Sequence, residues 1–196
     1  MSELMIISKR NPIQERPVKE GYIINNMLSN TLSNQIKEIL SQAFEFVEDG
    51  HYSRALRLYD LILKEDPENI NALVDKGATL QNMGKIKRAI SSYDKALVIA
   101  PDNLDALLNK GAALHSNQKY VQAIECYDKA LKVDKQCAMA LAYKGLSLGE
   151  MGELKDAIKY FKKALSIDKY CDLANISNDV AQDLLKSLKE KKSKIR

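Results

Sequence analysis

The sequence repeats itself with a period of about 34 residues. When residues 70–103 are aligned with residues 104–137, 14 of the 34 positions are identical. The same frame extends over four units, about 36–69, 70–103, 104–137 and 138–171. A period of this length is typical of solenoids, in which each unit buries its apolar face against its neighbours. The chain is therefore predicted to form one stack of similar units.

Small and aromatic residues recur at fixed positions of each unit. A small column holds Ala43, Gly77, Gly111 and Gly145, a second one holds Ala55, Ala89, Ala123 and Ala157, and an aromatic column holds Tyr59, Tyr93, Tyr127 and Phe161. Apolar residues around these columns follow a three- and four-residue spacing, which predicts helices. Gly50, Gly84 and Gly152 interrupt that spacing, and glycine readily adopts the left-handed backbone that ends many helices. Each unit is thus predicted to be a pair of helices.

These columns resemble those of the tetratricopeptide repeat family, whose units have this length. Pro67 and Pro101 also match the proline that the family places at the end of a unit, whereas Lys135 and Lys169 replace it in the later units. The resemblance covers residues 36–171. It implies an all-α, right-handed solenoid of four helix-turn-helix repeats, whose first helices line a concave groove. It also implies a scaffold that binds a protein partner there.

Residues 172–190 continue the frame as one more predicted helix. Its apolar residues form a single stripe, made of Leu173, Ile176, Val180, Leu184 and Leu188. The end of a solenoid exposes an apolar face unless a polar element covers it. This helix is therefore predicted to cap the stack, followed by a basic tail at 191–196.

Residues 1–30 are predicted to form an extended or partly disordered segment. Pro12, Pro17 and Gly21 argue against a long helix. Leu28, Leu32 and Ile36 already follow a fourfold spacing, so the first repeat helix is expected to start between Asn26 and Asn34. The stretch from Leu4 to Ile24 nevertheless contains apolar clusters and two basic residues. One hypothesis is that it occupies the groove of its own chain or of a second subunit; the alternative is a disordered leader.

The charge of the chain is concentrated at its end. The net charge is +4, yet residues 186–196 carry six basic residues and one acid. A high pI that belongs to a tail is weak support for a nucleic-acid-binding body, so nucleic acid and membrane partners are not expected. Two alternative functions stay open: an adaptor to nucleic acid or an anionic membrane through this tail, and a non-catalytic regulatory subunit of an enzyme.

No motif of an enzyme, cofactor or metal site occurs in the sequence. Phosphate-binding glycine loops and H-E-x-x-H are absent. Cys126, Cys137 and Cys171 are odd in number and lack C-x-x-C spacing, which argues against disulfides and zinc. Reduced thiols and the lack of a long apolar run favour a cytoplasmic protein. We predict no catalysis, no cofactor and no metal.

Two columns of opposite charge recur in phase. Lys76, Lys110 and Lys144 precede the glycine column, and Asp60, Asp94 and Asp128 follow the aromatic column. The lysines could be a ladder of ligand contacts. Alternatively, their stems pack between helices while the ammonium groups pair with acids of neighbouring helices, which is the interpretation we favour.

The family resemblance assigns the groove to residues of the first helices. The candidate partner-binding residues are Phe44, Asp75, Asp105, Leu108, Asn109, His115, Met139 and Tyr143. Apolar patches around Phe44 and Tyr143, separated by two acids, suit an apolar or mildly basic segment. Aromatic residues are enriched at binding hot spots, which favours Phe44 and Tyr143. For Leu108, packing between helices is an equally good interpretation, and for His115 a plain surface role is the better one.

One partner class of the family is excluded by this assignment. A subset of tetratricopeptide repeats holds the carboxylate-ended tails of chaperones with lysine, asparagine and arginine side chains. The matching positions here are occupied by Leu40, Phe44, Asp75, Asp105 and Asn109. Acidic side chains would repel a terminal carboxylate, and no basic side chain is present to hold it. Chaperone-tail binding in this mode is therefore not expected.

Overall fold

The computed structural model describes the backbone of residues 17–194 and the side chains of residues 32–187. The regular structure within this range is helical. Its elements are α1 (Pro17–Glu48), α2 (Tyr52–Glu65), α3 (Ile70–Asn82), α4 (Ile86–Ile99), α5 (Leu104–Ser116), α6 (Tyr120–Val133), α7 (Ala138–Glu150), α8 (Leu154–Ile167) and α9 (Asp172–Lys194). The all-α prediction is confirmed for this part of the chain.

The chain divides into two compact units, Met1–Ile39 and Leu40–Arg196, with the boundary inside α1. In the first unit, α1 begins at Pro17, before the window Asn26–Asn34 that the sequence predicts. The predicted extended segment is therefore wrong for residues 17–30. Proline suits the first turn of a helix, where its missing N–H needs no partner, and a single Gly21 costs only about 1 kcal/mol. Predictions on residues 1–16 lie outside the described residues.

The second unit contains the repeats, and its helices follow the predicted frame. Helices α3, α5, α7 and α9 begin at positions 70, 104, 138 and 172, so successive starts are separated by one repeat period. Asn69 and Asn103 fix two of these starts, because each side-chain oxygen accepts a hydrogen bond from the backbone N–H three residues later, at 3.0 and 2.8 Å. Between the helices of one pair, Gly84 adopts a φ of 71°, and Gln118 adopts a φ of 59° at the corresponding turn of the next repeat.

The core between the helix pairs consists of the predicted columns. Tyr59, Tyr93, Tyr127 and Phe161 are fully buried, and the alanine column is inaccessible to solvent. Each aromatic ring from Tyr93 onward lies against the glycine of the same unit, where a Cβ would come closer than 3.0 Å to the ring. Close approach of the two helices in a pair therefore depends on the absence of a side chain in the glycine column.

The charged columns pair across successive repeats. Lys76 Nζ lies 2.5 Å from Asp60, Lys110 Nζ lies 2.6 Å from Asp94, and Lys144 Nζ lies 2.5 Å from Asp128. Each pair joins the second helix of one unit to the first helix of the next. The packing interpretation of the lysine column is confirmed, and a ladder of ligand contacts is wrong.

Contacts between first helices define the curvature of the stack. Within the described residues, α3 packs against α5, α5 against α7, and α7 against α9, whereas the second helices α4, α6 and α8 lack comparable contacts with one another. In a curved stack, equivalent helices of successive repeats approach each other most closely on the concave side. The first helices therefore form its inner wall.

The central part of the apolar stripe of the last helix faces solvent. Ile176, Val180 and Leu184 are 67%, 63% and 49% exposed. The apolar residues of α9 that pack against the last repeat are Ala174, Ala181 and the half-buried Leu173 and Leu185, and Asn178 is buried as well. The helix packs on the last repeat mainly through small residues, which allow a closer approach of α9 to α8 than branched side chains would.

Candidate functional site

The inner wall is built from one repeat position after another along the first helices. Phe44, Ala78, Ala112 and Leu146 share one position, and Asn71, Asp105, Met139 and Leu173 share another. Because the repeat places equivalent residues at equivalent points of the stack, each set forms a row across the wall. The predicted site residues lie on the first helices α1, α3, α5 and α7.

Two predicted contact residues present large apolar surfaces to solvent. Phe44 is 62% exposed and Met139 is 45% exposed. They lie on α1 and α7, with α3 and α5 between them in chain order, so the structure does not bring them together. Val74 and Ala142, by contrast, are buried in the core.

The two predicted acids influence one another. Asp75 lies on α3 and Asp105 begins the adjacent α5. Asp75 is exposed as a residue, but neighbouring atoms partly shield its carboxyl from water; this shielding raises its pKa, and the negative charge of Asp105 raises it further. Among the described residues, neither acid forms an ion pair. This part of the wall therefore carries two neighbouring, uncompensated negative charges.

His115 connects two first helices. Its Nδ1 lies 2.9 Å from the hydroxyl of the buried Ser147 on α7, and its ring meets Tyr120 edge-on, with centroids 5.2 Å apart. Burial lowers the pKa of His115, while the charge of Glu150 opposes that shift. The ring is thus held between α5 and α7.

Tyr143 and Leu108 also serve packing between repeats. The Tyr143 ring stacks on the ring of Tyr127, with centroids 5.7 Å apart and 12° between the planes. Leu108 is half-buried against the same cluster, and Asn109 beside it is half-buried. Only part of each side chain is left for contact with another molecule.

The inner wall ends in a cleft that the sequence analysis missed. This C-terminal cleft has a volume of about 330 Å³ and is bordered by Leu146, Gly149 and Glu150 of α7, Leu154 of α8, and Ile176, Val180 and Leu184 of α9. The alignment of the repeats indicates that α9 takes part in this wall. Advancing Ala142, Leu146 and Glu150 by one repeat gives Ile176, Val180 and Leu184, so the apolar stripe of α9 extends the inner wall.

Clusters of metal-ligating side chains and reactive thiols are scarce among the described residues. Within them, no three His, Cys, Asp or Glu side chains are grouped as metal ligands would be. No helix in the described range is both long and apolar enough to cross a bilayer. Cys126 and Cys171 are buried thiols, and burial raises the pKa of Cys126, which makes its reactive thiolate form scarce.

A right-handed stack of helix pairs with an exposed inner wall defines a helical-repeat protein. The tetratricopeptide repeat family model matches residues 104–137, and a second model with the same description matches residues 70–103 and 140–171. These segments make up about half of the chain. The chain belongs to the tetratricopeptide repeat family, whose fold is that of a protein-interaction scaffold and whose members are generally non-catalytic.

Solved structures give the same architecture. A crystal structure of MamA has a TM-score of 0.67 and 28% sequence identity over 78% of this chain and 88% of that one. MamA from Desulfovibrio magneticus RS-1 has 20% identity, covers 81% and 96% of the two chains, and has a TM-score of 0.63. The protein TTC0263 of Thermus thermophilus has 19% identity, 76% and 82% coverage and a TM-score of 0.67. The last two show the fold alone. Among curated proteins, no sequence matches the chain.

Proposed function

We propose that the protein is a non-catalytic scaffold that holds a segment of one protein partner along its inner wall. The observation that carries the proposal is the exposure of Phe44 and Met139 on the first helices. Large apolar side chains that face solvent on a rigid surface are typical of binding sites, and aromatic residues often dominate the binding energy. The two residues would contact the partner near opposite ends of the repeats.

The charge of the wall favours a partner segment that is apolar or mildly basic. Asp75 and Asp105 are neighbouring acids without ion-pair partners among the described residues, and the pKa of Asp75 is raised by burial and by the charge of Asp105. A lysine or arginine of a partner would relieve that unfavourable interaction. The same acids would repel a terminal carboxylate, so we do not propose a chaperone tail as the partner.

A comparison of surface variants tests the proposal. The tagged protein is purified from its native cell as wild type, as a Phe44→Ala, Met139→Ala double variant, and as a Val98→Ala control. Val98 is 82% exposed but lies on the second helix α4. We expect one co-purifying protein to be retained by the wild type and the control and to be depleted at least tenfold with the double variant. Equal recovery with all three proteins would contradict the proposal.

The cellular compartment is part of the proposal. Three free thiols, two of them buried, suit a reducing environment such as the cytoplasm. Fractionation of the native cell with an antibody to the protein tests this, and recovery from an oxidising compartment would exclude it.

A further inference from the structure

The C-terminal cleft exists because two side chains are missing there. At the preceding junction, between α5 and α7, the space is occupied by His115, which reaches Ser147, and by Tyr143, which stacks on Tyr127. One repeat later, the equivalent positions are Gly149 and Ser177. The cleft is therefore a property of this repeat and not of the repeat architecture.

The repeat before that of His115 also has a side chain at the position of Gly149. Gln81 occupies the position of His115 one repeat earlier, and its side-chain oxygen accepts a hydrogen bond from the Tyr93 hydroxyl at 3.3 Å. His115 thus bridges its junction to the next first helix, whereas Gln81 presents a polar side chain that bonds to Tyr93 of α4 within its own pair. Gly149 leaves the third junction open, and the floor of that junction is apolar, made by Leu154 and Phe161.

The cleft has the size and polarity of a site for a large apolar side chain. Its volume of about 330 Å³ is roughly twice the ~150 Å³ of a cavity that holds a benzene ring. The α9 side of the cleft presents Ile176, Val180 and Leu184, each about half exposed or more. Covering these side chains removes apolar surface from water, which favours an apolar occupant.

Acidic residues accompany the apolar surface. Glu150 lines the cleft and is exposed. Asp183, also exposed, occupies the repeat position that Gln81, His115 and Gly149 occupy on the earlier first helices. A cationic group beside the apolar anchor would therefore meet complementary charge, whereas an anionic one would be repelled.

We propose that the C-terminal cleft is an anchor site for a peptide segment that carries one large aliphatic or aromatic side chain next to a lysine or arginine. This inference deepens the proposed function, on which it rests, by naming a specificity site within the inner wall. The anchor enters between α7 and α9 over Leu154, and the basic neighbour lies beside Glu150. Binding of the anchor excludes water from Ile176 and Val180.

Labelled peptides of defined sequence test the proposal with the full-length protein. Three capped glycine–serine peptides are compared: one with a central leucine between two lysines, one with serine in place of the leucine, and one with glutamates in place of the lysines. Binding is followed by the methyl NMR signals of Ile176, Val180 and Leu184. We expect the first peptide to shift these signals and the other two to bind about tenfold more weakly or worse.

Filling the cleft provides the decisive variant. Gly149→His combined with Ser177→Tyr reproduces the residues of the preceding junction, and a Cβ at 149 would meet only the Cβ of Ala157 at 3.9 Å. We expect at least a tenfold loss of affinity for the leucine–lysine peptide. Ile176→Ser, which changes an exposed side chain, gives the same test if the filled variant does not fold. Val98→Ala is the control: Val98 is exposed on the second helix α4, away from the inner wall, so this variant is expected to leave the peptide's affinity unchanged.

Three outcomes would overturn the inference: equal binding by the filled or Ile176→Ser variant, equal binding of the glutamate peptide, or no methyl shifts at millimolar peptide. Failure of the proposed function is a separate result. It would appear as unchanged partner recovery with the Phe44→Ala, Met139→Ala variant, whatever the peptides do at the cleft.

Discussion

Gly111 lies against the ring of Tyr127 so closely that any Cβ at position 111 would come within 3.0 Å of the ring carbons. The same relationship joins Gly77 to Tyr93 and Gly145 to Phe161. Since these aromatic side chains are fully buried, the ring cannot swing into solvent to make room. The spacing of the two helices in a pair is thus set by the contact between a glycine and an aromatic ring.

Gly111→Ala is expected to lower the free energy of unfolding by about 1–3 kcal/mol, the usual cost of an extra methyl group in a packed core. Complete unfolding is not expected, because Ala43 occupies the same column in the first repeat and is buried there. Urea denaturation followed by circular dichroism measures the change.

Gly149→Ala is the matched control for that substitution. It also replaces a helical glycine, but its Cβ would meet only Ala157 at an ordinary contact distance of 3.9 Å. Because alanine favours a helix over glycine by about 1 kcal/mol, this variant should be as stable as the wild type or more so. A Gly111→Ala protein as stable as Gly149→Ala would show that the ring contact is not tight.

Tyr127→Phe is expected to leave stability at neutral pH unchanged or to raise it. The Tyr127 hydroxyl is buried and has no hydrogen-bond partner within the described residues. Removing an unsatisfied buried polar group removes its desolvation penalty, a gain on the order of 1 kcal/mol. Phe161 already occupies this column in the last repeat. Thermal and urea unfolding of both proteins measure the effect.

Tyr93→Phe supplies the comparison, since the Tyr93 hydroxyl donates to Gln81 at 3.3 Å. This variant should lose about 0.5–1 kcal/mol, as expected for one long neutral hydrogen bond. If Tyr127→Phe is the more damaging of the two, the Tyr127 hydroxyl has a partner in solution, such as an ordered water.

The repeat period explains how much of this architecture could be predicted. A repeat reveals the same neighbour relation three or four times, so the glycine column could be assigned to helix packing and Lys144 could be paired with Asp128. Local signals were less reliable where the repeat ends. Pro17 argues against the interior of a long helix, but it is favourable in a first turn, where the structure places it. In α9, the periodicity identified an apolar stripe but not the direction in which it faces.

The C-terminal cleft could not be predicted from motifs, because it results from two small side chains at positions where the preceding repeat has large ones. Gly149 and Ser177 are ordinary residues in the sequence, and only the comparison with His115 and Tyr143 one repeat earlier shows what they leave open. Of the predicted contact residues, Tyr143 turned out to be stacked on Tyr127. A residue whose repeat position lies on the inner wall can still have most of its side chain in contact with neighbouring helices.

Stability should fall as the pH rises above about 10, the ordinary pKa of a tyrosine in the unfolded chain. Burial is the main cause that raises the pKa of Tyr59, Tyr93 and Tyr127 in the folded protein. Above this pH the unfolded state loses the tyrosine protons while the folded state keeps them. The unfolded state then binds fewer protons, so a further increase in pH favours unfolding.

Urea unfolding at pH 8 and at pH 10.5–11, together with the tyrosinate absorbance, checks this dependence. The Tyr127→Phe protein lacks one of the three groups, so its stability should decline less steeply with pH. Equal slopes for the two proteins would mean that Tyr127 ionises as easily folded as unfolded.

The Lys144–Asp128 ion pair is expected to contribute more than the Lys76–Asp60 pair. The Lys144 side chain is 12% exposed and that of Lys76 is 22% exposed. Burial acts to lower the pKa of Lys144, but hydrogen bonds to Asp128 and Tyr160 outweigh it, so that the pKa is raised. Its ammonium also lies 4.5 Å from the centre of the Tyr160 ring, a favourable cation–π arrangement.

Double-mutant cycles with Lys→Met and Asp→Asn measure both pairs. Coupling of about 0.5 kcal/mol is expected for the more exposed pair and about 1 kcal/mol or more for Lys144–Asp128. Because its folded pKa is raised, the contribution of Lys144 is fully present at neutral pH and is lost as the pH rises through that pKa, above about 10.5. Equal coupling in the two cycles would contradict the role assigned to burial.

Asp75→Asn should raise the melting temperature at neutral pH and weaken binding of the partner segment. The folded pKa of Asp75 is raised by burial and by Asp105, so ionisation of this carboxyl disfavours the folded state as the pH rises above about 4. The amide removes that penalty, and it also removes a negative charge that would attract a basic segment.

If Asp75→Asn raises the melting temperature as expected, the carboxyl of Asp75 lowers stability at a position on the candidate binding wall, as functional residues often do. Asp102→Asn changes an exposed turn residue with the same loss of charge and serves as the control. It should alter neither the melting temperature nor partner recovery. If Asp75→Asn raises the melting temperature but leaves recovery of the co-purifying protein intact, the acids of the inner wall do not contact the partner.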